Sequence, residues 1–179
     1  MIMSLFRKDP AVDAGEALYA AAVEQARSEA LYSKFDVPDS VEGRFEMITL
    51  HVYLVLRRLK GDTPGAQKVG QKLFDAMFQN MDDSLRELGV GDLSVGKKIR
   101  KLAENFYGRV GAYEDALQDP SDNDALAKTL GRNVFLDPDA PGAMSLAQYV
   151  KTTAFAIEAQ PVARIVGGIV QFPAVESNP

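Results

Sequence analysis

The chain contains no cysteine among its 179 residues, and it has a single histidine, His51. The absence of cysteine excludes disulfide bonds, thiolate zinc sites and thiol nucleophiles. One histidine leaves little material for general-base catalysis or for a metal centre, since imidazole is the side chain used most often for both. We therefore expect no catalytic residue set, no metal site and no cofactor.

Long apolar runs are absent as well. A transmembrane helix needs roughly 20 apolar residues, whereas the strongest apolar runs cover only 52–56 and 165–170. Residues 1–10 show neither the apolar core of a secretory signal nor the composition of an organellar presequence. A net charge of −5 argues against a surface coated with nucleic acid, so no sequence-specific nucleic-acid partner is expected. These observations predict a cytoplasmic protein, with peripheral contact at a membrane left open.

Apolar residues recur at helical spacing along most of the chain, and strand-like alternation is almost absent. With its caps and breakers, this pattern predicts helices over about 10–33, 41–59, 64–88, 95–117, 123–130 and 146–159. The apolar tail 162–172 is expected to form either one more helical turn or an extended arm. The fold class predicted is therefore all-α: a single compact domain of about six helices with an irregular apolar C-terminal arm.

The end of the third predicted helix and the start of the fourth carry local signals. Gly89 in the left-handed conformation would end the third helix in a Schellman motif, with Val90 folding back onto Leu85. Ser94 is the predicted cap of the fourth helix. We therefore expect a tight turn between two long amphipathic helices.

The segment 91–98 nearly matches the phosphate-binding loop G-x-x-x-x-G-K-[ST], but it departs from that motif in two ways. Lys98 stands where a Ser or Thr should bind magnesium, and the preceding residues 72–88 are helical and amphipathic where the motif requires a buried strand. The pattern therefore disfavours a nucleotide site, which stays open only as an alternative.

His51 lies inside the apolar run of the second predicted helix. A di-iron bundle would place a glutamate three residues before it, where this chain has Ile48. A haem-ligating histidine is the second alternative, and a histidine with satisfied hydrogen bonds is the favoured interpretation.

Four cations follow the predicted start of the fourth helix: Lys97, Lys98, Arg100 and Lys101. In its first two turns they oppose the positive end of the helix dipole, and such a broken local rule is where function is expected. They could hold an acidic peptide, a lipid headgroup or an RNA phosphate; a solvated charged face is the alternative. The predicted partner-binding residues are Leu88, Val90, Asp92, Leu93, Lys97, Lys98, Arg100 and Lys101.

Three stretches carry a resemblance to a known family: FQNMDDSLRELGVGDLSVGKK at 78–98, FYGR at 106–109 and FEMITLH at 45–51. They resemble the ubiquinol–cytochrome c chaperone family over about residues 32–134, whereas the C-terminal helix and arm, 145–179, carry less of the likeness. The resemblance implies a role in assembling respiratory complex III, with newly made cytochrome b as the bound client. In mitochondria such proteins also work with a small partner at the ribosomal exit. Without a visible presequence, this chain looks like a bacterial member.

The predicted function is therefore a non-catalytic assembly chaperone that binds newly made cytochrome b, not an enzyme. The ribosome and the surface of the inner membrane are further candidate partners, and the sequence does not predict an oligomeric state. A nucleotide- or haem-binding regulatory helical protein is the alternative function. The family supplies no catalytic residues.

Overall fold

The fold was analysed in a computed structural model that describes residues 9–61, 63–119 and 121–175. Within these ranges the chain forms eight α-helices and one π-helical turn, and no β-strand occurs. The elements are α1 (Pro10–Ala26), α2 (Glu29–Ser33), α3 (Val41–Leu59), α4 (Pro64–Glu87), α5 (Asp92–Leu117), α6 (Asn123–Leu130), the π-turn (Gly131–Phe135), α7 (Gly142–Glu158) and α8 (Val162–Val166). The all-α prediction is confirmed.

Helix α3 lies at the centre of the fold. The six consecutive residues 50–55 are all buried, as expected for a helix that is apolar on nearly every side. α1, α4 and α7 pack around it. Buried apolar side chains from all eight helices join one continuous cluster, so the core runs from α1 to α8. The predicted range of α3 is confirmed, and the Ser40 hydroxyl caps it by accepting from the Gly43 amide at 3.0 Å.

The first predicted helix is wrong as a single element. The chain breaks between α1 and α2, where Ser28 adopts an extended conformation and the Tyr32 hydroxyl donates to the Ala26 carbonyl at 2.7 Å. The break turns Leu31 fully into the core. Before it, α1 lies so close to α4 that a Cβ on Gly15 would come within 2.6 Å of the Lys72 backbone.

Two later helices begin earlier than predicted. α5 starts at Asp92 with Gly91 as its cap, so Ser94 is not the capping residue. An aspartate in the first turn complements the positive end of the helix dipole, which gives the earlier start a physical reason. α7 starts at Gly142 rather than at 146, directly after Pro141.

The sequence left open whether the C-terminal segment forms a helical turn or an arm, and in the structure it forms one after the other. A single helical turn, α8, ends in a turn at Gly167 and Gly168 and is followed by an irregular arm over residues 169–175. The Gln160 side chain holds the arm by donating to the Gln171 carbonyl at 2.7 Å and accepting from the Gln171 amide at 2.9 Å. Phe172 then packs edge-on against the His51 ring, with ring centroids 5.5 Å apart.

Candidate partner-binding site

The turn between α4 and α5 is a Schellman motif, as predicted. Gly89 has φ +81°, the Val90 amide donates to the Leu85 carbonyl at 3.0 Å, and the Gly89 amide donates to the Arg86 carbonyl at 2.9 Å. We call residues 88–101 the α4–α5 corner. The turn pushes two apolar side chains outward, because Leu88 is 80% exposed and Leu93 is 92% exposed.

The four cations of the corner are all exposed. Lys101 lies 3.5 Å from Glu104, whereas Lys97, Lys98 and Arg100 form no ion pair with any of the residues described. On the α4 side, Arg86 forms ion pairs with both Asp82 and Asp92, so the aspartate at the start of α5 is already partly neutralised. The corner therefore presents three uncompensated positive charges.

The early start of α5 corrects the electrostatic argument from the sequence. Lys97 is the sixth residue of the helix, so the cations lie beyond the first turn, where the dipole effect has largely decayed. Their placement does not oppose the dipole, and the free N–H groups of the helix start do not point at the same partner. What remains is a charged face on which Lys101 contacts Glu104, while Lys97, Lys98 and Arg100 form no ion pair within the described part of the chain.

The near-match to a phosphate-binding loop is not a loop. From Asp92 onward the segment is helical, and the element before the turn is α4, not a strand. The Gly89 and Val90 amides of the turn donate to the Arg86 and Leu85 carbonyls, so they are not free to cradle a phosphate. The structure therefore supports the two sequence arguments against a nucleotide site.

His51 is fully buried, and both of its ring nitrogens are hydrogen-bonded. Nδ1 lies 2.7 Å from the Met47 carbonyl oxygen, which can only accept, so Nδ1 carries the proton. Nε2 then accepts from the Tyr149 hydroxyl at 2.8 Å, and that hydroxyl accepts from the Gln25 amide at 2.9 Å. Burial lowers the pKa of His51 to about 4. Neither ring nitrogen is available to a haem iron, which favours the satisfied-histidine interpretation.

An aromatic groove lies between α3, α4 and α5, and it was not predicted from the sequence. It has a volume of about 260 Å³ and an apolar floor formed by Tyr53, Leu56, Phe74, Phe106, Tyr107 and Val110. Phe74 packs edge-on against Phe106, with ring centroids 5.6 Å apart, and lies at a tilt against Tyr107, with ring centroids 5.8 Å apart. Tyr107 is 62% exposed. It lies seven residues after Arg100 on the same face of α5, so the groove opens about 10 Å from the corner.

A buried ion pair between α3 and α5 was also missed. The Arg109 Nε donates to the Glu46 carboxylate at 2.5 Å, and a second guanidinium nitrogen contacts the other carboxylate oxygen. Glu46 is only 6% exposed. Burial raises the pKa of Glu46, and the Arg109 guanidinium opposes that rise. The pair joins α3 to α5. Its two residues are 63 positions apart in the sequence, so no local pattern of residues predicts it.

The described residues contain neither a candidate metal site nor a candidate membrane span. No group of three or more His, Cys, Asp or Glu side chains there could hold a metal ion. None of the helices in those ranges combines the length and the hydropathy needed to cross a membrane.

The fold and the site thus define an all-helical protein whose candidate binding surface is the exposed α4–α5 corner. The family model described as ubiquinol–cytochrome C chaperone matches residues 33–172. The chain belongs to the ubiquinol–cytochrome c chaperone family, which confirms the resemblance seen in the sequence. The match runs past Val134 through α7 and into the arm.

Known relatives agree with this assignment. The crystal structure of the Cbp3 homolog from Brucella abortus is 40% identical, covers 98% of both chains and superposes with a TM-score of 0.84. Ubiquinol–cytochrome c reductase complex assembly factor 1 from Xenopus laevis is 23% identical over 117 residues, or 65% of this chain. The human protein of that name is 24% identical over 118 residues, or 66% of this chain. The matches span only 58% of the frog protein and 39% of the human protein.

Proposed function

We propose that this chain is a non-catalytic chaperone that binds newly made cytochrome b during assembly of respiratory complex III. The observation that carries the proposal is the family match over residues 33–172. Relatives named as assembly factors of the ubiquinol–cytochrome c reductase complex support the assembly role. The continuous core supports treating the chain as one domain.

The proposed client contact is the α4–α5 corner, with Leu88, Val90, Asp92, Leu93, Lys97, Lys98, Arg100 and Lys101. A membrane-protein client leaving the ribosome exposes apolar segments, and the two protruding leucines offer them an apolar surface. The aromatic groove lies on the same face of α5 and extends this surface inward. The proposed location is the cytoplasm, with peripheral contact at the inner membrane, and a contact with the ribosome is compatible with the same surface.

Site-specific photo-crosslinking tests the contact. A photoreactive amino acid at position 93 or 107, introduced into the full chain, should crosslink to cytochrome b while cytochrome b is being synthesised. Leu136 is the matched control position, because it is an apolar residue that is 86% exposed outside the corner. Equal crosslinking from position 136 and position 93 would refute the corner as the client site.

A charge reversal tests the cations of the same surface. The triple variant Lys97→Glu, Lys98→Glu, Arg100→Glu should reduce capture of cytochrome b at least tenfold without a loss of helical signal. If neither the photo-crosslinking nor the capture assay recovers cytochrome b, and other subunits of complex III are recovered, then cytochrome b is not the client. The assembly role would still hold.

A further inference from the structure

The α4–α5 corner is a protrusion, not a groove. Leu93 and Leu88 are covered by almost nothing, since 92% and 80% of their surfaces are exposed. A Cβ placed on Gly89, Gly91 or Gly96 would meet no atom within 4 Å, so the surface around the leucines is open. The concave part of the same surface, which suits an extended or helical segment of a client, is the aromatic groove at Tyr107. A convex apolar tip is instead suited to a soft, planar partner.

Two of the cations share a side of α5 with one of these leucines. Leu93, Lys97 and Arg100 are spaced by four and three residues, so they lie along one face of the helix. Lys97, Lys98 and Arg100 have no acidic partner among the residues described. Apolar side chains that emerge beside several lysines and arginines are the composition of helices that lie in the interface of an anionic bilayer.

The charge distribution of the whole chain favours one orientation. The net charge is −5, so the surface away from the corner is repelled by an anionic membrane while the corner is attracted to it. The acidic residues near the corner in sequence are those that end α4, Asp92 and Glu104. Arg86 pairs with Asp82 and Asp92, and Lys101 contacts Glu104, so among the described residues of this stretch only Asp83 and Glu87 lack an ion pair.

We propose that the α4–α5 corner docks this chain on an anionic phospholipid bilayer. Leu88 and Leu93 enter the headgroup region, and Lys97, Lys98 and Arg100 bind lipid phosphates. The inference deepens the proposed function and rests on it for its biological sense, because it assigns the anionic partner of the same corner to lipid headgroups. It would place the aromatic groove beside the membrane in which a client such as cytochrome b is inserted.

Vesicle co-sedimentation of the purified full chain tests the proposal without any client. The chain should bind vesicles in which a third of the phosphatidylcholine is replaced by phosphatidylglycerol, and pure phosphatidylcholine vesicles should be left unbound. Half-molar salt should weaken the binding at least tenfold, because it screens the cations. Lys97→Glu, Lys98→Glu, Arg100→Glu should weaken it at least about 100-fold, since each cation near an anionic surface contributes a factor of about five.

Two further variants separate the contributions. Leu88→Ser with Leu93→Ser should weaken binding to anionic vesicles roughly tenfold and leave its salt dependence in place. The matched control reverses three exposed cations outside the corner and the groove, Arg27, Lys34 and Arg164, and should bind like the wild type. Circular dichroism of each variant verifies that the helices are retained.

The overturning results are equally specific. Equal binding to neutral and anionic vesicles, no binding to either, or an equal loss in the Arg27, Lys34 and Arg164 variant would refute bilayer docking. Binding to a soluble oligoglutamate with no binding to vesicles would assign the cations to an acidic protein segment instead. Each of these results leaves crosslinking to cytochrome b free to succeed, so the two proposals can fail separately.

Discussion

The folded chain should lose stability in mild acid because of the buried His51. The substitution His51→Asn should abolish that loss. The buried ring is uncharged in the folded chain, because burial lowers the pKa of His51 to about 4 from an ordinary value of 6.5. Its contacts are the Met47 carbonyl, the Tyr149 hydroxyl and the Phe172 ring, so no carboxylate is available to stabilise an imidazolium. Asparagine remains neutral throughout the same pH range.

The sign and the size follow from proton linkage. The pKa of His51 is lower in the folded state than in the unfolded state, so the unfolded chain binds the proton first as the pH falls. The stability that a neutral His51 provides is complete above pH 6.5 and is lost as the pH falls toward 4. Relative to neutral pH, the loss amounts to about 2 kcal/mol at pH 5 and about 3 kcal/mol at pH 4.

Urea unfolding followed by circular dichroism at pH 7.5, 5 and 4 measures this difference. The His51→Asn variant is expected to be less stable than the wild type at pH 7.5, because it loses the ring packing and the bond to Tyr149, but the gap should narrow by about 2 kcal/mol at pH 5. Thr129→Ala is the matched control, since it removes a buried hydroxyl bonded to the Ala125 carbonyl and introduces no titration. A gap that stays constant with pH for His51→Asn would refute the reasoning.

Other substitutions test the packing around the site. Arg109→Met should cost about 3–5 kcal/mol in urea unfolding, because it leaves the Glu46 carboxylate buried and unpaired, and adding Glu46→Leu should recover much of that loss; a loss below about 1 kcal/mol would contradict the buried pair. Gly142→Ala should lower the melting temperature sharply, since its Cβ would lie 1.9 Å from the Phe35 carbonyl oxygen, whereas Gly108→Ala, with nothing within 4 Å, should raise it by a few degrees. The same sign for both glycine variants would contradict the packing.

Much of the fold could be predicted from local signals. The range of α3 and the Schellman motif at Gly89 both depend on residues a few positions apart, and both agree with the structure. The starts of α5 and α7 were placed too late: Ser94 resembles a cap, but α5 begins at Asp92, and α7 begins at Gly142. Because the start of α5 was placed too late, the cations from Lys97 onward were assigned to its first turns, where they would oppose the helix dipole. In the structure Lys97 is the sixth residue of the helix, so that conflict does not arise.

Composition and periodicity, by themselves, determined the helical class, most of the helix limits and the turn at Gly89 that joins α4 to α5, since caps, turns and amphipathic spacing act within one or two helical turns. Tertiary structure decided which distant residues meet. Tyr149 reaches His51 across 98 positions, Arg109 reaches Glu46 across 63, and aromatic rings from α3, α4 and α5 converge on one groove. These contacts depend on how the helices cross, and that is fixed by the packing of the whole core and not by any local pattern of residues.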